Sequence, residues 1–226
     1  ITVLETTSFG PYHFNFHSGD LGNFTVIGPS GSGKTALLAF LLAQAEKIQP
    51  RIAYFDKDRG AEGFIRAIGG RYDVISPGAA TGLNPLALPD TGENRVFLID
   101  WLAQLLSAHG ASLNAEDRTI IADAIDANFA QSEDHRRLRY LRELFRGARR
   151  PSAGDLAARL GAWCDGGEHG WLFDNDEDRL DVENRILGFD MTRLLDQPIT
   201  RTPAMMYLFH RIEQRLDGGP AIIVVD

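Results

Sequence analysis

Residues 28–35 read Gly28, Pro29, Ser30, Gly31, Ser32, Gly33, Lys34, Thr35, and this octet constrains the fold more than any other stretch of the chain. It satisfies G-x-x-x-x-G-K-[ST] at every fixed position. Glycines let consecutive backbone N–H groups turn inward around a phosphate, a concavity that β-carbons would crowd, and the helix that follows adds partial positive charge at its N-terminus. Lys34 is then placed to reach the β- and γ-phosphate oxygens and Thr35 to offer its hydroxyl to Mg²⁺, with Ala36 next on the helix. The context agrees. Residues 22–27 form a short β-rich run before the loop, and residues 34–48 a helix apolar almost all round, which predicts its burial.

The chain continues in the same rhythm. Residues 51–55 (RIAYF) read as a strand, 60–68 as a helix closed by Gly69 and Gly70, and 72–75 as a strand stopped by Pro77 and Gly78. Strand alternating with helix predicts an α/β fold with a mostly parallel central sheet flanked by helices. The period then becomes helical over residues 93–108, 116–129, 136–145 and 154–163, the last with Ser152 as a candidate cap. Sheet character returns at 186–190 (ILGFD), a helix follows from Pro203 to about 216, and 221–225 (AIIVV) is fully apolar, as central parallel strands tend to be. The expected division is a first part of the nucleotide-binding core over 1–92, an all-α insertion over 93–170, and a return to the core over 171–226.

Carboxylates at strand ends are the next signal. Asp226 ends the last apolar run, as an aspartate that holds Mg²⁺ ends the second nucleotide strand of phosphate-loop proteins. Asp56 and Asp58 follow the 51–55 strand, at the sheet edge where ligands of open α/β sheets sit. Asp58 is a candidate for orienting an attacking water, and a turn that caps the next helix explains the same residues. Asp190, at the end of ILGFD, is a weaker candidate, with a helix cap through Thr192 as the alternative.

Composition sets the outer bounds. A formal net charge of -8 opposes unspecific attraction to nucleic-acid phosphates. Residues 133–150 nevertheless hold seven arginines against three acids, and 165–183 eight acids against one arginine, so the two blocks are expected to face each other or a partner. Cys164 is the one cysteine and makes no internal bridge; a small buried apolar residue is the expectation. The longest nearly apolar run, 36–45, is about half of the ~20 residues a membrane crossing needs. Both ends look like cuts in a longer protein. The six histidines lack metal-ligand spacing, and Trp163, Trp171 and Phe173 are expected in the core.

Read in order, TTSFGPYHFNFH, GPSGSGKT, YFDKDRGAEGFIRAIGG, TGLNPL, WLFDN, GFDMT, TPAMMYLFHRIE and IIVVD resemble the motor domain of the type IV secretion and conjugative-transfer ATPases of the VirB, TrbE and CagE type. The resemblance runs from Thr6 to Asp226. It implies a RecA-like phosphate-loop NTPase fold of the FtsK/HerA kind with an α-helical insertion. It implies a Mg²⁺ and ATP site at subunit boundaries, and hexamers or related homo-oligomers at the cytoplasmic face of the bacterial inner membrane. It carries Gly28 to Thr35 over as nucleotide ligands, Lys34 and Asp226 as catalytic, and Thr35 and Asp226 as metal ligands. The family's N-terminal domain and the glutamate expected after Asp226 are not in this sequence, so the chain is expected to bind ATP with little turnover. An ATPase that powers assembly of a secretion apparatus, or transfer through it, leads. A DNA-translocating motor of the coupling-protein type and a nucleotide-gated assembly module remain as alternatives.

Overall fold

The computed structural model describes residues 2–17, 19, 22–147 and 153–226. Four short strands make a parallel sheet in the order β4 (Arg71–Val74), β5 (Ile186–Asp190), β3 (Arg51–Asp56), β6 (Ala221–Val225). In register, Asp56 pairs with Asp190, and Phe55 with both Phe189 and Val225, so the strands end together at one edge. The alternation of side chains along β3 divides the core. Ile52 and Tyr54 pack on one face with Leu42 of α1 (Lys34–Ala45) and Ile65 of α2 (Glu62–Ala67). Ala53 and Phe55 pack on the other, where Phe55 lies 4.8 Å from Phe209 of α9 (Pro198–Glu213).

The helical stretch comprises α3 (Gly92–Leu106), α4 (Ala115–Phe129), α5 (Leu138–Gly147), α6 (Ala153–Leu160) and the single turn α7 (Gly170–Phe173). Its starts are chemically marked. Thr91 accepts a hydrogen bond from the Asn94 N–H, and Asn114 and Asp117 form a reciprocal capping box. Its buried side chains, Trp101, Trp163 and Phe173 among them, run without a break into those of β3, β5 and α9. The expected core role of this aromatic cluster is observed. Ser152 lies outside the described residues.

The two oppositely charged blocks do meet, within the chain. Arg139 bonds the fully buried Asp174 side chain at 3.1 Å and approaches Asp165 at 3.8 Å, while Arg137 reaches Asp176 at 2.5 Å. Arg136 donates to the Gln131 and Phe129 carbonyls and lies over the Phe129 ring. These arginines are therefore structural ties of α5 and its approach. The two family segments TGLNPL and WLFDN also lock together. The Asn175 amide donates to the Leu83 carbonyl at 2.9 Å and the Asn84 amide to the Asn175 carbonyl at 3.0 Å.

Four expectations need correction. Residues 22–27 form no strand: no strand of the sheet pairs with them, and Phe24 instead joins Phe14 and Phe16 in an edge-to-face cluster. Phe14 belongs to a hairpin that sequence pattern did not anticipate, β1 (Thr2–Glu5) against β2 (Pro11–Phe14), turned through Phe9 at φ 59°. Helix α1 is buried on one side only, through Leu41, Leu42 and Ala45, and Phe40 is exposed. Among the described residues strand β6 lies at the edge of the sheet and not in its middle, and Ile223 and Val225 are exposed. Helix α9 starts five residues before Pro203, at Pro198, whose ring fixes φ for a first helical position; Pro203 then costs one interior backbone bond. The short α8 (Thr192–Leu195) joins β5 to α9.

Candidate functional site

The loop of residues 28–33 is shaped by its glycines. Gly31 (φ 77°) and Gly33 (φ 88°) occupy the left-handed region, which a β-carbon disfavours. At Gly28 a β-carbon would lie 2.6 Å from the Ser32 hydroxyl oxygen, so a larger residue there would displace the Ser32 side chain. The Ser32 N–H donates back to the Pro29 carbonyl at 3.2 Å. Gly33 caps α1 without a side-chain acceptor, and the first turn of the helix has no acid to offset its N–H groups. Lys34 folds over the loop, its ammonium donating to the Gly28 and Pro29 carbonyls at 2.9 and 3.0 Å. The loop thus brings the start of α1 and the Lys34 ammonium together.

The carboxylates come from the sheet. Asp56 continues the alternation of Ile52 and Tyr54, and Asp226 that of Ile222 and Val224, so both belong to the α1 face of the sheet's C-terminal edge. The Asp226 N–H is anchored to the Phe55 carbonyl at 3.0 Å. Asp190 is the in-register neighbour of Asp56 on the other side; it accepts from the Thr192 hydroxyl at 2.6 Å and from the Thr192 N–H at 3.0 Å. Asp190 thus ties to Thr192, although the N-cap position of the helix that Thr192 opens is Met191, with no side-chain cap bond.

Asp56 is the most confined of the three. Its side chain is wholly buried, and Oδ2 accepts from the Tyr72 hydroxyl at 2.6 Å and from the Ala61 N–H at 2.9 Å. Oδ1 has no hydrogen-bond partner. Burial raises the Asp56 pKa above the ordinary carboxylate range, against the lowering effect of those two hydrogen bonds, and the charges of Asp226 and Asp190 add to the rise. Burial, with the charges of Asp226 and Asp56 close by, pushes the Tyr54 phenol up.

Asp58, the sequence candidate for orienting water, stands differently. It is exposed at φ 61°, and its backbone N–H donates to the Thr192 hydroxyl at 2.8 Å. Arg59, at φ 57°, pairs with Glu62 at 2.6 Å. This left-handed turn carries Gly60 against Thr35. A β-carbon on Gly60 would stand 3.3 and 3.6 Å from Thr35 Cγ2 and Oγ1 and 3.9 Å from Asp56 Oδ1. Thr35 and Asp56 therefore border one small space kept open by the missing side chain. Asp56 and Asp58 both lie an even number of residues from Tyr54, so strand alternation does not separate them; β3 ends at Asp56, and Asp58 lies in the left-handed turn beyond it.

No family profile matches the chain. Among curated proteins, the type IV secretion system protein virB4 of Bartonella henselae is 45% identical over 227 residues, all of this chain and 29% of that protein. The type IV secretion system protein PtlC of Bordetella pertussis is 39% identical over 249 residues, again all of this chain and 30% of the relative. The chain thus spans under a third of the length of these relatives. A solved structure, VirB4 of Thermoanaerobacter pseudethanolicus, superposes with a TM-score of 0.77 over 99% of this chain and 66% of that one, at 17% identity, a likeness of fold. The parallel sheet flanked by helices is therefore the RecA-like α/β architecture that the resemblance implied. Alike in sequence along its whole length and in fold, the chain belongs to the family of the VirB4 and PtlC type IV secretion system proteins.

Proposed function

We propose that this chain binds ATP with Mg²⁺ and belongs to an ATPase that drives assembly of, or transfer through, a type IV secretion system. The observation that carries the reading is the convergence of the 28–35 loop and the sheet-edge carboxylates on one side of the sheet. The backbone donors of the loop and Lys34 complement the phosphate charge, and Lys34 exchanges its two carbonyl acceptors for phosphate oxygens. The donors proposed for Mg²⁺ are hard oxygens, the Thr35 hydroxyl, 3.6 Å from where a Gly60 β-carbon would stand, and the Asp226 carboxylate just after β6. Among the described residues no group of three or more His, Cys, Asp or Glu side chains could hold a metal alone. Mg²⁺ at a nucleotide is held by one or two protein oxygens together with phosphate and water. When bound, Mg²⁺ would neutralise charge on the β- and γ-phosphates. Thr35 and Asp226 would fix its position, and Lys34 that of the phosphates.

In the full protein this activity is proposed to work in a homo-oligomer with other secretion subunits at the cytoplasmic face of the inner membrane. In this chain no helix among the described residues is long and apolar enough to cross a membrane. Titration with a fluorescent ATP analogue tests the reading. Loss of a charge-assisted hydrogen bond is worth about 1.5–3 kcal/mol, so Lys34→Ala should weaken binding roughly 10- to 100-fold. Equal affinity in variant and parent would remove the assignment.

A further inference from the structure

We infer that Asp56 is a positioning residue for the metal: Oδ1 accepts hydrogen bonds from water bound to the nucleotide's Mg²⁺, across the space bordered by Thr35 and Gly60. The inference rests on the nucleotide reading above and adds to it a residue that neither motif contains.

Three observations carry it. A carboxylate oxygen that is fully buried and has no partner is a costly arrangement, and it persists where a ligand supplies the missing donor. The other oxygen is held by Tyr72 and Ala61, so the carboxylate cannot rotate to satisfy Oδ1 without breaking bonds of 2.6 and 2.9 Å. Finally, Oδ1 and the Thr35 hydroxyl both lie within 4 Å of the point where a Gly60 β-carbon would stand. Among the described residues the two oxygens make no direct hydrogen bond. Mg²⁺ gives up its hydration shell reluctantly and keeps several waters when protein-bound, so an acceptor set back by one water is what its chemistry can use. Tyr72 and Ala61 then serve a second purpose: they hold the acceptor still. Asp58, exposed on the turn beyond, has none of these constraints.

The test uses two substitutions in the full chain. In Asp56→Asn the amide oxygen can still accept from Tyr72 and Ala61, while the NH₂ group takes the place of Oδ1 and can only donate. Gly60→Ala leaves every polar group in place and puts a methyl into the space. Fluorescent ATP analogue is titrated with Mg²⁺ and with EDTA, Mg²⁺ is titrated at fixed analogue, and thermal unfolding is followed in parallel. Removal of an outer-shell partner typically costs about 10- to 100-fold in metal affinity, so half-saturating Mg²⁺ should rise by roughly tenfold in Asp56→Asn, with affinity in EDTA unchanged. Gly60→Ala should move it in the same direction. If Asp56→Asn fails to fold, Gly60→Ala alone decides. A folded variant with the parent's Mg²⁺ half-saturation overturns the inference and leaves nucleotide binding standing. A parent that binds the analogue in neither condition removes both.

Discussion

The two faces of the sheet are built differently. On the α9 face, Phe55 and Phe189 of the sheet join Trp101, Trp163, Phe173 and Tyr207 in one continuous buried cluster that extends through the helical stretch. On the α1 face the buried cluster is small, Leu42, Ile52, Tyr54, Ala61, Ile65, Tyr72 and Ile186, and α1 leaves Phe40 in solvent. The thin face holds the phosphate loop, Asp56, Asp190 and Asp226. Stability and chemistry are thus largely separated: apolar burial on one side secures the strands whose ends carry charged groups on the other.

The sharpest way to break this comparison is to weaken the thick face. Phe173 is fully buried and packs edge-on to Trp101 and Tyr207, so Phe173→Ala should cost about 3–5 kcal/mol in stability. Urea unfolding measures it, and the fraction still folded should bind the ATP analogue with parental affinity. A fall in affinity among folded molecules would show that the faces are coupled.

Next in size is the charge tie of the helical stretch. Arg139→Glu would leave the Asp174 carboxylate, buried to 0% side-chain exposure, beside a second negative charge. Arg139 itself is 36% exposed, and solvent screening keeps the expected loss to about 1–3 kcal/mol. Arg136, Arg137 and Arg139 together tie α5 and its approach to the rest of the chain. Their internal bonds predict that reversing all three unfolds the chain before it affects association, which circular dichroism checks.

The smallest effect separates a surface tie from both faces. Arg185 bridges Glu46 at 2.6 Å and the Pro50 carbonyl at 2.7 Å, and its hydrogen bond is the main reason the Glu46 pKa is lowered. A carboxylate with a folded pKa below its unfolded one contributes stability that is present above the unfolded value and lost as pH falls through the folded value. Both partners are about one-third exposed, so Glu46→Gln should cost at most about 1 kcal/mol near neutral pH and nothing in acid. Denaturant midpoints at the two pH values decide it, and an equal change at both would show that the pair's charge is irrelevant.

How legible these regions were follows from what pairs with what. Strand β3, helix α2 and its Gly69 stop lay close to their predicted bounds because local pattern and chain reversal agree there. The phosphate loop was legible because its conformation depends on its own glycines. Residues 22–27 have the composition of a strand, but a strand needs a neighbour, and composition does not record whether one is offered. The β1–β2 hairpin escaped notice because its turn is closed by Phe9 in a left-handed conformation, a residue type that gives no turn signal. Asp56 and Asp58 look alike in sequence; burial and a closing turn distinguish them, and both arise from contacts with Tyr72 and Thr192 far along the chain. Cys164 met its expectation: it is buried, and burial pushes its thiol up to about 12.

Strand β6 has a consequence for the colloidal behaviour of the polypeptide. Among the described residues it is paired on one side only, and it exposes Ile223 and Val225 beside a row of backbone donors and acceptors. Two forces of different reach then act between copies in solution. The net charge of -8 repels at a distance, and the edge attracts at contact. Salt shortens the first to about 8 Å at physiological ionic strength and leaves the second untouched. Light scattering should therefore rise with added salt, the reverse of what an association held by ion pairs would show.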